Sequence, residues 1–308
     1  MGMNVEPRHD AGAAQAGQGG EAATRKPHSA YDRREPCQRE NVAVCDPVSD
    51  GTPASAAKRR APKLDARLRM AADWVEPCKT CADIGCDHGR LGAVLLMENR
   101  CQWLLAADVS AKALAKAQAC LSALTLTDRA VFSAADGLDA LAAIPQGKAD
   151  TVCILGMGGE TLAGILLRGQ ARLQGATLVL GAQTELPTVR ETLMRIGYRL
   201  TREQVAQADG RLYLLMQAKP APKDAPPYTE RELRLGPVLL TEMPLSWRPW
   251  LEHRQRLLGE AISAMRQAVT PDEARLSRLA DELWDTEEAL RAMPVGKRPA
   301  EPQGGREA

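Results

Sequence analysis

Residues 80–89 read Thr-Cys-Ala-Asp-Ile-Gly-Cys-Asp-His-Gly, a short apolar run that breaks into a glycine-containing turn. Such a run suits a strand buried on both faces, and the apolar spacing from about Arg90 to Met97 predicts a helix directly behind the turn. A glycine turn joining a first strand to a first helix is where doubly wound α/β folds take up nucleotides. The same rhythm recurs downstream. Strands are predicted at Trp103–Ala107, Ala130–Ala134, Thr151–Leu155 and Thr177–Leu180, with helices at Ala111–Ala123, at Glu160–Leu167 and around Leu186, Val189, Leu193 and Ile196. Strand alternating with helix implies a parallel sheet. Two last strands, Arg199–Ala206 and Arg211–Gln217, are joined by Ala208-Asp209-Gly210, a hairpin signal. The expected fold is α/β, a mostly parallel sheet ending in an antiparallel hairpin.

Upstream of the first strand, Leu64, Leu68, Ala71, Ala72 and Val75 recur at helical spacing and stop before Pro77, which predicts an amphipathic helix. Residues 1–62 are rich in Ala, Gly, Pro and Arg with little periodic apolar content, so a disordered extension is expected there. The sheet domain then spans 63–219, and Lys219–Pro227 (KPAPKDAPP) reads as a semi-rigid linker. Over 228–293, apolar stripes on either side of Thr270-Pro271 predict an antiparallel helical hairpin. Its first helix is the more basic, making Arg248, Arg254 and Arg256 candidates to meet phosphate, with a solvated face of mixed charge as the alternative. Residues 294–308 are expected to be a loose tail.

The 308 residues are 44% hydrophobic and 26% charged with a formal net charge of +1. That composition excludes a collagen-like or fully disordered chain, and it offers no global basic excess to announce a nucleic-acid or membrane partner. No apolar run approaches the roughly 18–20 residues of a membrane helix, and the start lacks a signal-peptide pattern. A cytoplasmic protein, a monomer or a weak dimer, is expected. The eight cysteines sit mostly among apolar residues and are expected to be reduced thiols. Cys78, Cys81, Cys86 and His88 are of zinc-ligand type, but five residues of extended chain hold Cys81 and Cys86 roughly 15 Å apart. No metal is expected.

The turn after the first strand has the spacing Gly85-x-x-x-Gly89-x-x-Gly92, which disfavours a dinucleotide. An acid opening the turn, Asp83, suits a ligand with an amino group, and Asp108 at the end of strand two can accept both ribose hydroxyls of an adenosine. S-adenosylmethionine has both parts. Asp136, in Ala135-Asp136-Gly137-Leu138 after strand three, is placed to accept from an adenine amino group. Each acid alone is as well explained as a helix cap; three at consecutive strand ends point to a cofactor. His88 either caps the helix or lines the pocket. After strand four, Gly156-Met157-Gly158-Gly159-Glu160 lets backbone approach a ligand closely and frees carbonyls and amides to read the edge of a base, so a methyl acceptor is expected there.

Together, DIGCDHG, the Asp108 strand end, ADGL at 135–138, GMGGE at 156–160, and later Glu203, Asp209-Gly210 and Tyr213 resemble the bacterial tRNA (adenine(22)-N(1))-methyltransferase family. The resemblance spans roughly Leu64 to Gln217 and extends weakly to Tyr228, Glu232 and Gly236-Pro237. It implies a Rossmann-like class I methyltransferase sheet with a C-terminal α-helical, coiled-coil-like domain that helps hold tRNA. With the strand-end placement it implies an S-adenosylmethionine site at Asp83, Gly85, Asp87, His88, Gly89, Asp108, Val109, Asp136, Gly137 and Gly156. Methylation at adenine N1 leaves a positive charge, for which Asp87 and the carbonyls of Gly156, Met157, Gly158 and Gly159 are the candidate stabilisers. Where this family tends to have Gln-Pro-Asn after strand five, the chain has Gly181-Ala182-Gln183, keeping one amide side chain and losing the proline. The alternatives are methyl transfer to another RNA or a small molecule, a cofactor-sensing module without turnover, and a nicotinamide dehydrogenase.

Overall fold

The computed structural model describes residues 60–145 and 147–294. The expected extension at 1–62 lies almost wholly outside the described residues, as does the expected tail beyond Pro294. The first helix, α1 (Ala66–Trp74), starts at Asp65, whose carboxylate accepts the Leu68 N–H at 2.8 Å as an N-cap. There follow β1 (Cys78–Ile84), α2 (Arg90–Met97), β2 (Cys101–Ala107), α3 (Ala111–Ala123), β3 (Ala130–Ser133), β4 (Thr151–Met157), α4 (Gly159–Leu173), β5 (Thr177–Ala182), α5 (Leu186–Arg195), β6 (Tyr198–Ala208) and β7 (Arg211–Pro220).

The seven strands form one sheet in the order β3-β2-β1-β4-β5-β7-β6. β1 to β5 are parallel, and β7 runs antiparallel between β5 and β6. Chain order reverses between β1 and β4, and there the register sets Ile84 opposite both Ala107 and Ile154. Residues just beyond these strands therefore emerge side by side at the switch point, the place where open α/β sheets bind ligands. Both faces of the sheet are covered. Ala82 and Ile84 pack with Leu162, Leu166 and Leu193 on one side, and Cys81 packs with Ala71, Leu95 and Leu121 on the other. The β6–β7 turn has Asp209 at φ 48° and Gly210 at φ 72°, the left-handed pair that a two-residue hairpin loop needs.

The expected linker is shorter than its composition suggests. Lys219 pairs with Arg199 and Pro220 with Tyr198 in the β6–β7 ladder, so irregular chain begins at Ala221. Two six-residue helices, α6 (Glu230–Leu235) and α7 (Pro237–Glu242), precede the hairpin of α8 (Arg248–Arg266) and α9 (Glu273–Ala292). Helices of that length complete too few turns to register as a periodic stripe. Thr229 and Glu232 cap α6 reciprocally, each side chain bonding the other's backbone N–H. Leu235, Leu239, Trp247, Leu251, Ala289 and Met293 from this segment join the same apolar core as Leu200, Val205 and Leu214 of the sheet.

Candidate active site

From Ile84 the chain turns through Gly85, Cys86, Asp87, His88 and Gly89 into α2. Gly85 has φ +77°, a left-handed backbone that favours glycine, and a Cβ there would stand 2.4 Å from Met157 Cε, the movable end of that side chain. Asp87 holds φ +45° without being glycine, a conformation that costs an L-residue about 1–2 kcal/mol. Its N–H donates to Asp108 Oδ2 at 3.3 Å, while the Ser110 N–H donates to Asp108 Oδ1 at 2.8 Å. Asp108, directly after β2, thus braces the first turn against the second.

Between these turns and the ends of β4 and β5 lies a cavity of about 560 Å³. Of the residues expected from sequence, Asp83, Gly85, Asp87, His88, Asp108, Gly156 and Met157 line it. Gly89, Val109, Asp136, Gly137, Gly158 and Gly159 are not on its wall. Gly89 faces Ala117 of α3 and Gly137 faces Ile165 of α4, each at a distance no Cβ could share. Asp136 pairs with Arg168 at 3.1 Å on an exposed surface, and Val109 is itself exposed. The Gly159 N–H donates to Thr184 Oγ1 at 3.3 Å, and a Cβ there would stand 2.2 Å from the Thr184 carbonyl oxygen. These glycines serve the close packing of turns and helices, a use that sequence spacing does not separate from lining a ligand.

Asp83 is 4% exposed, and its Oδ2 has no hydrogen-bond partner. Burial pushes its carboxyl up to about 7, opposed by the Gly92 N–H and aided by the nearby Asp108. An orphaned buried carboxylate oxygen on a cavity wall fits a ligand's cationic amino group, so the residues present suit S-adenosylmethionine. His88 Nδ1 lies 2.6 Å from Asp87 Oδ2, and its Nε2 lies 3.4 Å from Lys116 Nζ. Burial raises the Cys86 thiol to about 12, which keeps it protonated beside the site. The six cysteines among the described residues are free, and among those residues no group of three or more His, Cys, Asp or Glu is gathered to hold a metal.

Asp65, Arg67 and Leu68 of the α1 end also line the cavity, and sequence reading missed them. Arg67 lies over the Tyr213 ring at 5.1 Å, pairs with Asp65 at 3.5 Å, and has Nη1 3.1 Å from where a Gly156 Cβ would be. The one sequence signal is that Arg67 precedes Leu68 on a helix whose apolar stripe must dock somewhere.

The three candidate phosphate ligands differ. Arg254 is ion-paired to Glu282 at 2.6 Å and lies over Trp250, and burial pushes its guanidinium below the usual range. Arg248 reaches the carbonyls of Met293 and Pro294 at 3.5 Å. Arg256 stays 64% exposed, contacting His253 at 2.7 Å and Glu260 at 3.9 Å.

Residues 64–216 match the methyltransferase-domain family. The chain is 28% identical over 230 residues to the tRNA (adenine(22)-N(1))-methyltransferase of Bacillus subtilis, an alignment covering 72% of this chain and 94% of that one. It is 30% identical over 158 residues to a putative tRNA methyltransferase of Mycoplasma pneumoniae, covering 51% of this chain and 71% of that one. The crystal structure of the B. subtilis tRNA methyltransferase TrmK superposes with a TM-score of 0.67 at 25% identity, over 74% of this chain and 99% of that one. Among the described residues, no helix is long and apolar enough to cross a membrane.

Proposed function

We propose that this chain, which belongs to the bacterial tRNA (adenine(22)-N(1))-methyltransferase family, moves a methyl group from S-adenosylmethionine to N1 of adenine 22 in tRNA, in the cytoplasm. The observation that carries this reading is the buried, unpartnered Asp83 Oδ2 on the wall of the switch-point cavity. Asp83 would hold the cofactor's amino group and Asp108 its ribose hydroxyls. When bound, S-adenosylmethionine supplies a methyl group made electrophilic by its sulfonium.

The chain's own contribution is placement, since an in-line displacement needs alignment more than acid or base chemistry. Asp87 and the main chain at Gly156 and Met157 line the cavity where positive charge develops on the purine, and a carboxylate or carbonyl there favours that charge. N1 lies on the pairing edge of adenine, so the base must leave its stack before reaction. Residues 63–219 are read as the catalytic unit. The helices of 228–293 are read as the grip on tRNA that offsets the unstacking, with the exposed Arg256 better placed for phosphate than the ion-paired Arg254.

Incubation with methyl-labelled S-adenosylmethionine tests the substrate class. Label is expected in unmodified tRNA and absent from free adenosine and single-stranded DNA. Free adenosine methylated at a kcat/KM comparable to tRNA would move the reading to a small-molecule enzyme.

A further inference from the structure

Gln183 directly follows β5, and its N–H donates to the Met157 carbonyl at 2.9 Å, which fixes it on the cavity wall beside Leu155, Gly156 and Met157. Gln183 is exposed, and among the described residues its side-chain amide engages no protein hydrogen-bond partner. The carboxylates Asp83 and Asp108 line the same cavity, at the ends of β1 and β2. The neighbouring charged pair, Arg67 and Asp65, is turned on itself, and His88 is held between Asp87 and Lys116. Gln183 is therefore the neutral side chain on this wall with a free acceptor and a free donor lying side by side.

We propose that Gln183 determines base specificity by reading the acceptor adenine along its N6–N7 edge, the amide oxygen accepting from the N6 amino group and the amide nitrogen donating to N7. This rests on the reading above, in which adenine N1 accepts the methyl group, and that chemistry dictates the edge. N1 must keep its lone pair directed at the methyl donor, so a bidentate contact cannot occupy the Watson–Crick edge. The remaining edge on which adenine presents a donor beside an acceptor is N6–N7, the pattern an Asn or Gln amide matches. Guanine presents two acceptors there, O6 and N7, and a pyrimidine has no N7, so the same amide rejects both.

The test uses tRNA transcripts carrying adenosine or 7-deazaadenosine at position 22, with the unaltered protein and with Gln183→Leu. 7-Deazaadenosine keeps N1 and N6 and replaces N7 by a C–H group. The unaltered protein is expected to lose on the order of 10-fold in kcat/KM on the deaza transcript, since one of the two hydrogen bonds of a bidentate amide–adenine pair is removed. Gln183→Leu, which removes both contacts, should lose at least as much on adenosine and distinctly less on 7-deazaadenosine, where only the N6 contact is left to lose. Losses that multiply, or no loss from either change, overturn the proposal. Gln183→Glu gives an independent arm should the leucine variant fail to fold. Its carboxylate repels the N7 lone pair but not a C–H, so it should prefer the deaza transcript; a retained preference for adenosine overturns the proposal. Failure of the underlying reading is distinguishable, since the unaltered protein would then methylate neither transcript, and the proposal falls with it.

Discussion

An Asp83→Asn variant is expected to bind S-adenosylmethionine on the order of a hundredfold more weakly and yet, without cofactor, to be more stable than the unaltered protein at pH 8. The two effects share a cause. Removing one partner of a buried charged pair costs about 2–5 kcal/mol of binding, so a loss of about 3 kcal/mol is a reasonable centre. In the ligand-free protein the same carboxylate is a burden, because its pKa is raised from 3.8 to about 7 by burial. A raised carboxyl pKa means that the folded state binds the proton more tightly than the unfolded state does. Stability contributed by that proton is present at low pH and is lost as pH climbs from about 4 to 7, reaching at most about 4 kcal/mol. The advantage of Asp83→Asn should accordingly vanish toward pH 4. In the unaltered protein, cofactor affinity should fall as pH drops from 8 to 6, because the ammonium pairs with the carboxylate and not with the acid. Calorimetric titration across that range and thermal melts at pH 4 and pH 8 read both effects. Equal affinity in the two proteins at pH 8 would remove Asp83 from the cofactor site.

Glu203→Ala should be the most destabilising single change outside the cavity, by about 3–5 kcal/mol, the usual cost of stranding one member of a buried pair. Glu203 on β6 and Arg190 on α5 lie 2.9 Å apart with both side chains fully buried. Arg190 also donates to the carbonyls of Leu233 and Arg234, and Glu203 Oε2 accepts the Val238 N–H at 3.0 Å. The pair therefore pins the α6–α7 corner to the sheet. Gly236 at that corner has φ +104°, and a Cβ there would stand 2.5 Å from Glu203 Oε2. Burial outweighs the attraction of Arg190 and pushes the Glu203 carboxyl up, so the pair is costly as well as specific. Replacing both partners together, Arg190→Met with Glu203→Leu, should cost much less than Glu203→Ala alone. Urea unfolding of the three proteins checks the order, and a single variant within about 1 kcal/mol of the unaltered protein would contradict it.

The strand and helix order was legible because each element is long enough to show its period; α2 and α3 begin and end where the apolar pattern does. The acids that line the cavity were legible because strand ends are fixed by the same pattern. Tertiary choices were not. Arg67 enters the site only because α1 docks across β6 and β7, and nothing local records that docking. Arg254 looks like a free basic residue until α9 brings Glu282, 28 positions away, against it. Asp136 sits after β3 as expected, and its exposed ion pair with Arg168 comes from α4, which the strand pattern does not place. Gly181 and Ala182 are buried strand residues, which leaves Gln183 as the residue of that trio on the cavity wall.

The most direct measurement is methyl transfer from labelled S-adenosylmethionine to an unmodified tRNA transcript and to the same transcript with adenine 22 replaced, followed by mass spectrometry of the nucleosides. 1-Methyladenosine is predicted in the first transcript and none in the second. Transfer to both transcripts alike, or no 1-methyladenosine from a protein that binds the cofactor, would contradict methylation of N1 of adenine 22.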